Sequence, residues 1–88
     1  MTKQQAVDRA TGAAPSFEIP PNSPVNRADR RIIEVFADNR SVREGKLDPG
    51  PVWDRIAWLV TFQVADWSAE LAVDDNTGAI IRLRRFRS

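Results

Sequence analysis

Hydrophobic and polar positions alternate most cleanly in the last third of the chain. Ile56, Trp58, Val60, Phe62 and Val64 alternate with Ala57, Leu59, Thr61, Gln63 and Ala65, giving one heavily apolar face and one lighter face at the period of a β-strand. This pattern predicts a central strand over about 55–65. Leu71 and Val73 then alternate with Glu70 and Ala72, and Ile81 and Leu83 with Arg82 and Arg84, which predicts two more strands over about 69–75 and 79–86. Between them Asp75-Asn76-Thr77-Gly78 reads as the corner of a hairpin. An Asp at the first turn position accepts a backbone N–H two residues on, and Gly supplies φ > 0 without a Cβ clash. The expected arrangement is a type I turn closing into a left-handed Gly78, with a G1 bulge.

The first half is more polar and less regular. Thr2-Lys3-Gln4-Gln5 fits a capping box, and Ala6, Val7 and Ala10 share a face at helical spacing. A helix over about 3–11 follows, with Gly12 placed to end it. Too short to stand alone, it must lie on something, and its alanines suggest close approach to a sheet. Pro15, Pro20, Pro21 and Pro24 make 13–26 a connection without regular structure, pinned to the core by Phe17 and Ile19. In the next passage Ile32, Val35 and Phe36 fit a helix face, whereas Ile33, Val35 and Ala37 fit a strand. The β-branched content favours a strand over about 31–38, with a helix as the alternative. Asp48-Pro49-Gly50-Pro51 is a strong turn signal within a long loop over 39–52.

Composition removes more chemistry than it adds. An 88-residue chain with 42% hydrophobic residues makes one domain, 1–88, with a thin core. Thirteen Lys and Arg against 12 Asp and Glu leave no general attraction to nucleic acid or acidic membranes. With no Cys and no His, thiol nucleophiles, Cys-based metal sites, the usual general base and the usual zinc ligand are all excluded. No stretch reads as a signal peptide or a membrane span. The chain reads as soluble and untargeted, and because a removed leader would leave the same residues, both a cytoplasmic and an envelope or secreted location stay open.

The hairpin corner has a ligand-binding alternative, and spacing argues against it. Counted from Asp74, an EF-hand loop would need Gly at the sixth residue and Glu at the twelfth; those positions hold Ala79 and Arg85. The four glycines never cluster as a phosphate loop requires. No cofactor and no metal are expected. Asp74 and Asp75 form the one visible carboxylate pair, but neighbours on a strand face opposite ways and would not share a proton. An enzyme is the least favoured class.

The short helix "TKQQAVDRA", the strand "WLVTF" and the hairpin "LAVDDNTGAII" together resemble the PepSY domain and related cystatin-like modules. The resemblance runs in order from about Lys3 to Phe86, with Trp58–Phe62 and Val73–Gly78 its specific parts. The Pro-rich segment and the loop before Trp53 depart from the pattern. What the resemblance implies is an α+β fold, one short N-terminal helix packed on a curved four-stranded antiparallel sheet, with no catalytic residues. It also implies a role in binding or inhibiting peptidases, as in propeptides and envelope proteins.

Six residues are candidates for partner binding: Trp53, Trp67, Arg82, Arg84, Arg85 and Phe86. Trp67 lies in the turn between two strands, where it either caps the core or serves as an exposed anchor, and Trp53 closes the preceding loop. The arginines, with Arg87, form either a basic patch with Phe86 free to stack on a base or a solvated outer face that guards an edge strand. Alternation places Arg82 and Arg84 with Ile80 and Phe86, and Arg85 and Arg87 with Ile81 and Leu83. A protein partner is the leading expectation, with nucleic acid or another anionic ligand second. A homodimer through exposed sheet edges is compatible with either.

Overall fold

The computed structural model describes residues 1–36 and 52–87, with the side chains of 1–35 and 54–87. Residues 37–38 of the expected strand, 39–51 of the expected loop and the side chain of Trp53 fall outside them, and Val52 is already strand. Element order is helix α1 (Lys3–Ala13), a 3-10 turn (Ala14–Phe17), then strands β1 (Val25–Phe36), β2 (Val52–Val64), β3 (Trp67–Asp74) and β4 (Ile80–Arg87). The strands form one antiparallel sheet in the order β1-β2-β3-β4. The fold is therefore α+β: one short helix on a four-stranded antiparallel sheet.

The capping box starts α1. The Gln5 N–H donates to Thr2 Oγ1 at 3.1 Å and the Thr2 N–H to Gln5 Oε1 at 2.8 Å, so two of the otherwise unpaired amides at the helix start are satisfied. Ala6 and Ala10, one turn apart, are fully buried. Their small side chains let the helix axis come close to the sheet. Gly12 does not end the helix; Ala13 and Ala14 stay helical, and Pro15 is accommodated at the start of the 3-10 turn, where its missing N–H costs nothing. The chain turns away only at Glu18, whose φ is 61° and whose N–H caps Ala14 and Pro15. The irregular connection expected over 13–26 thus shrinks to the segment between Phe17 and Val25.

Residues 31–36 are strand, and the strand starts at Val25, six residues earlier than expected. The β1–β2 ladder runs from Val25↔Phe62 to Phe36↔Val52, and β2 pairs with β3 only from Ala57 to Val64. Beyond Ala57 the two strands therefore continue as a ribbon past the end of β3. A register shift makes Asn26 an extra residue in β1, and another makes Ile81 one in β4.

The helix covers one sheet face. Under it Val60, Phe62, Ala69, Leu71 and Val73 pack with Ala10, Ala14 and Ile19, and Trp58, Val64, Trp67, Ile80 and Leu83 border them. A smaller cluster of Ile33, Ala57 and Ala72, with Val35, Leu59 and Ile81, lies on the opposite face. Among the described residues no helix is long and apolar enough to cross a membrane.

Candidate functional site

The corner between β3 and β4 is held by Asp74, not by Asp75. Asp74 is buried, and its Oδ1 accepts the N–H of Asn76 at 2.8 Å and of Thr77 at 3.0 Å. Its own N–H donates to the Ala79 carbonyl at 2.8 Å, and its carbonyl accepts the Gly78 N–H at 2.9 Å. The loop is thus four residues, 75–78, and not the shorter type I plus G1 arrangement expected. Gly78 has φ 76°, in the left-handed region that favours glycine. A Cβ there would lie 3.0 Å from the Arg9 guanidinium, whose Nε donates to the Gly78 carbonyl at 2.8 Å. That bond clamps the corner to the helix.

Asp75, released from the turn role, becomes a junction. Its Oδ1 accepts the Trp58 indole N–H at 2.9 Å and the N-terminal ammonium at 3.2 Å, and its Oδ2 accepts Arg30 Nη2 at 3.1 Å. One carboxylate therefore ties together the sheet centre, the edge strand and the start of the chain. These donors, led by the Trp58 indole, hold its pKa at about 2, below the ordinary 3.8. A group whose folded pKa is depressed stabilises fully above its unfolded pKa and loses that contribution as pH falls through the folded value. The stabilising role of Asp75 is therefore complete above about pH 4 and fades toward pH 2. The difference in urea midpoint between the wild type and Asp75→Asn should be constant above pH 4 and close as pH approaches 2; a gap unchanged at pH 2 would reject this role.

The two neighbouring carboxylates thus have separate partner sets, backbone amides for Asp74 and, for Asp75, the Trp58 and Arg30 side chains with the N-terminal ammonium. Among the described residues no group of three or more Asp, Glu, His or Cys gathers where it could hold a metal ion.

The arginines of β4 do not form one patch. The extra residue Ile81 breaks simple alternation, so Ile80 joins Leu83 under the helix while Ile81 joins the cluster on the opposite face. Arg82, Arg84 and Phe86 stand opposite Ala72, Glu70 and Ser68 on the open face, and Arg85 and Arg87 stand opposite Ala69 and Trp67 on the helix side. Arg82 Nη2 pairs with Glu70 Oε1 at 3.1 Å, and the Arg84 guanidinium lies 5.3 Å from the Phe86 ring centroid. Arg85 donates to the Phe17 carbonyl at 2.8 Å and lies 5.9 Å from the Trp67 ring centroid. Trp67 begins β3 instead of sitting in the turn, half-buried against the main core. The backbone of Trp53 lies opposite Val35 in the ladder.

No family model, curated protein or solved structure matches this chain.

On the face away from the helix lies a trough of about 460 Å³ that touches all four strands, lined among others by Arg27, Arg31, Leu59, Thr61, Glu70 and Phe86. Of the sequence candidates whose side chains are described, only Phe86 lines it, with Arg84 stacked on that ring. Arg27, Asp29 and Arg31 were not candidates. Their period-2 spacing in "NRADRR" is the signal that could have found them.

Proposed function

We propose that this chain is a non-catalytic protein-binding module, of the kind PepSY-like and cystatin-like domains represent, and that it works through the open face of its sheet. The observation that supports this reading most directly is the trough across all four strands on the face the helix leaves uncovered. Its charge supports an acidic partner. Arg27, Arg31, Arg55, Arg82 and Arg84 belong to this face by register, against Asp29, Glu70 and the buried Asp74. Leu59 and Phe86 add apolar surface within it, so a polypeptide segment that alternates acidic and apolar side chains matches the face in both respects.

The test is selection of displayed peptides on the immobilised chain, followed by affinity measurement with Leu59→Glu and Phe86→Ser. Selected sequences should be rich in acidic and apolar residues, and each variant should weaken binding about tenfold or more, the scale of losing one well-packed contact. Equal binding by the face variants and the wild type would refute the assignment. A second reading, an anionic or nucleic-acid ligand, draws support from Arg84 stacked on Phe86. It requires an oligonucleotide affinity that falls steeply with salt and no peptide selection.

A further inference from the structure

We propose that β1 is a self-pairing edge, and that two copies of this chain join their sheets through it about a two-fold axis at Ile32. Among the described residues β1 and β4 are the two edges of the sheet, and a sheet edge offers unpaired backbone groups to another strand. The two edges differ in what self-pairing would bring together.

In an antiparallel ladder, residues directly opposite one another direct their backbone groups the same way and lie on the same face. A strand that pairs with its own copy must therefore place the two-fold axis at a residue. For β4, every axis from Arg82 to Phe86 sets an arginine against an arginine, either itself or Arg82 on Arg84, or Arg85 on Arg87. Like charges directly opposite are destabilising, so β4 is guarded against its own copy.

β1 behaves otherwise. Axes at Asp29, Arg30, Arg31 or Glu34 superpose like charges, an axis at Ala28 runs into the extra residue Asn26, and an axis at Ile33 makes no ion pair. The axis at Ile32 sets Ile32 against Ile32, Arg30 against Glu34 twice, and Ala28 against Phe36. On the other face it sets Arg31 against Ile33 and Asp29 against Val35, so no like charges meet anywhere in this register.

Two observations in the single chain fit this arrangement. Ile32 is 72% exposed, and its ladder neighbour Ile56 is 45% exposed on the same face, so pairing gathers four isoleucines at the axis. Glu34 stands directly opposite Asp54, two acids side by side, and the incoming Arg30 brings a cation next to them. Arg30 uses one Nη2 donor on Asp75, and its fork has others to offer.

The chain contains no cysteine, which makes a single introduced one a clean reporter. Residues opposite one another in an antiparallel pair lie about 4.5–5.5 Å apart at Cα, within disulfide reach. Sedimentation equilibrium should give the wild type twice its 9.9 kDa, and Ile32→Cys should oxidise to a covalent dimer while Arg87→Cys on the β4 edge does not. Ile32→Lys, at an exposed position where the fold tolerates change, should weaken association tenfold or more with unchanged circular dichroism. A wild type that stays at 9.9 kDa at high micromolar concentration, a dimer that links through Arg87→Cys instead, or masses that grow beyond two chains would each overturn the assignment.

Discussion

Asp74→Ala is expected to destabilise the fold by about 3 kcal/mol, with the urea m value unchanged. The buried carboxylate accepts two backbone N–H groups of the corner, and hydrogen bonds to a charged group contribute about 1.5–3 kcal/mol each. Water reaches the exposed Asn76 and Thr77 amides once the acceptor is gone, so the full sum is not lost. Asp74→Asn keeps an acceptor in place and should cost only about 1 kcal/mol. A loss below about 1 kcal/mol for the alanine variant would show that the Gly78 conformation and the Arg9 clamp hold the corner without it.

The same corner shows what sequence reasoning reached and where it stopped. A turn at this place was legible, because Asp, Asn, Thr and Gly follow two alternating strands and Gly78 does take a left-handed φ. Which Asp performs the capping was not legible. Both acids fit the local pattern, and the choice depends on ladder register, which pairs Asp74 with Ala57 and closes the loop at Ala79. The contact between Trp58 and Asp75 follows from that register and has no local signal.

Strands β2 to β4 were legible because each has a face to bury. The start of β1 was missed for the complementary reason: "VNRADRR" is an edge segment, mostly exposed or half-buried, and it need not alternate in hydrophobicity to pair. Gly12 looked like a helix stop, yet helix termination depended on the left-handed Glu18 six residues on. In the arginine tail the expected grouping of Arg82 and Arg84 with Phe86, and of Arg85 and Arg87 with Leu83, holds, and only the two isoleucines change places. Simple alternation put Ile80 with Arg82 and Ile81 with Leu83, and the bulge at Ile81 exchanges the two isoleucines between faces, a backbone event that composition does not encode.

Phe62→Ala should be the most damaging single substitution, costing about 4 kcal/mol, the range for truncating a buried aromatic being about 3–5. The surroundings place it toward the upper end. Among the described residues Phe62 is the largest fully buried side chain, and three members of its cluster are Ala10, Ala14 and Ala69, which have no flexible atoms to fall into the void. Cavity cost grows with the volume that stays unfilled. A domain of 88 residues at roughly 0.05–0.15 kcal/mol per residue has only about 4–13 kcal/mol in total. The variant should therefore lose about 20 °C in Tm or fail to fold, whereas Phe62→Leu, which keeps most of the volume, should cost only about 1 kcal/mol. Calorimetry of the two variants separates these outcomes. An equal small loss in both would mean that α1 settles onto the sheet when the ring is removed. The alanine contacts at Ala6 and Ala10 would then be adjustable, and the helix would be a cover that moves and not a fixed half of the core.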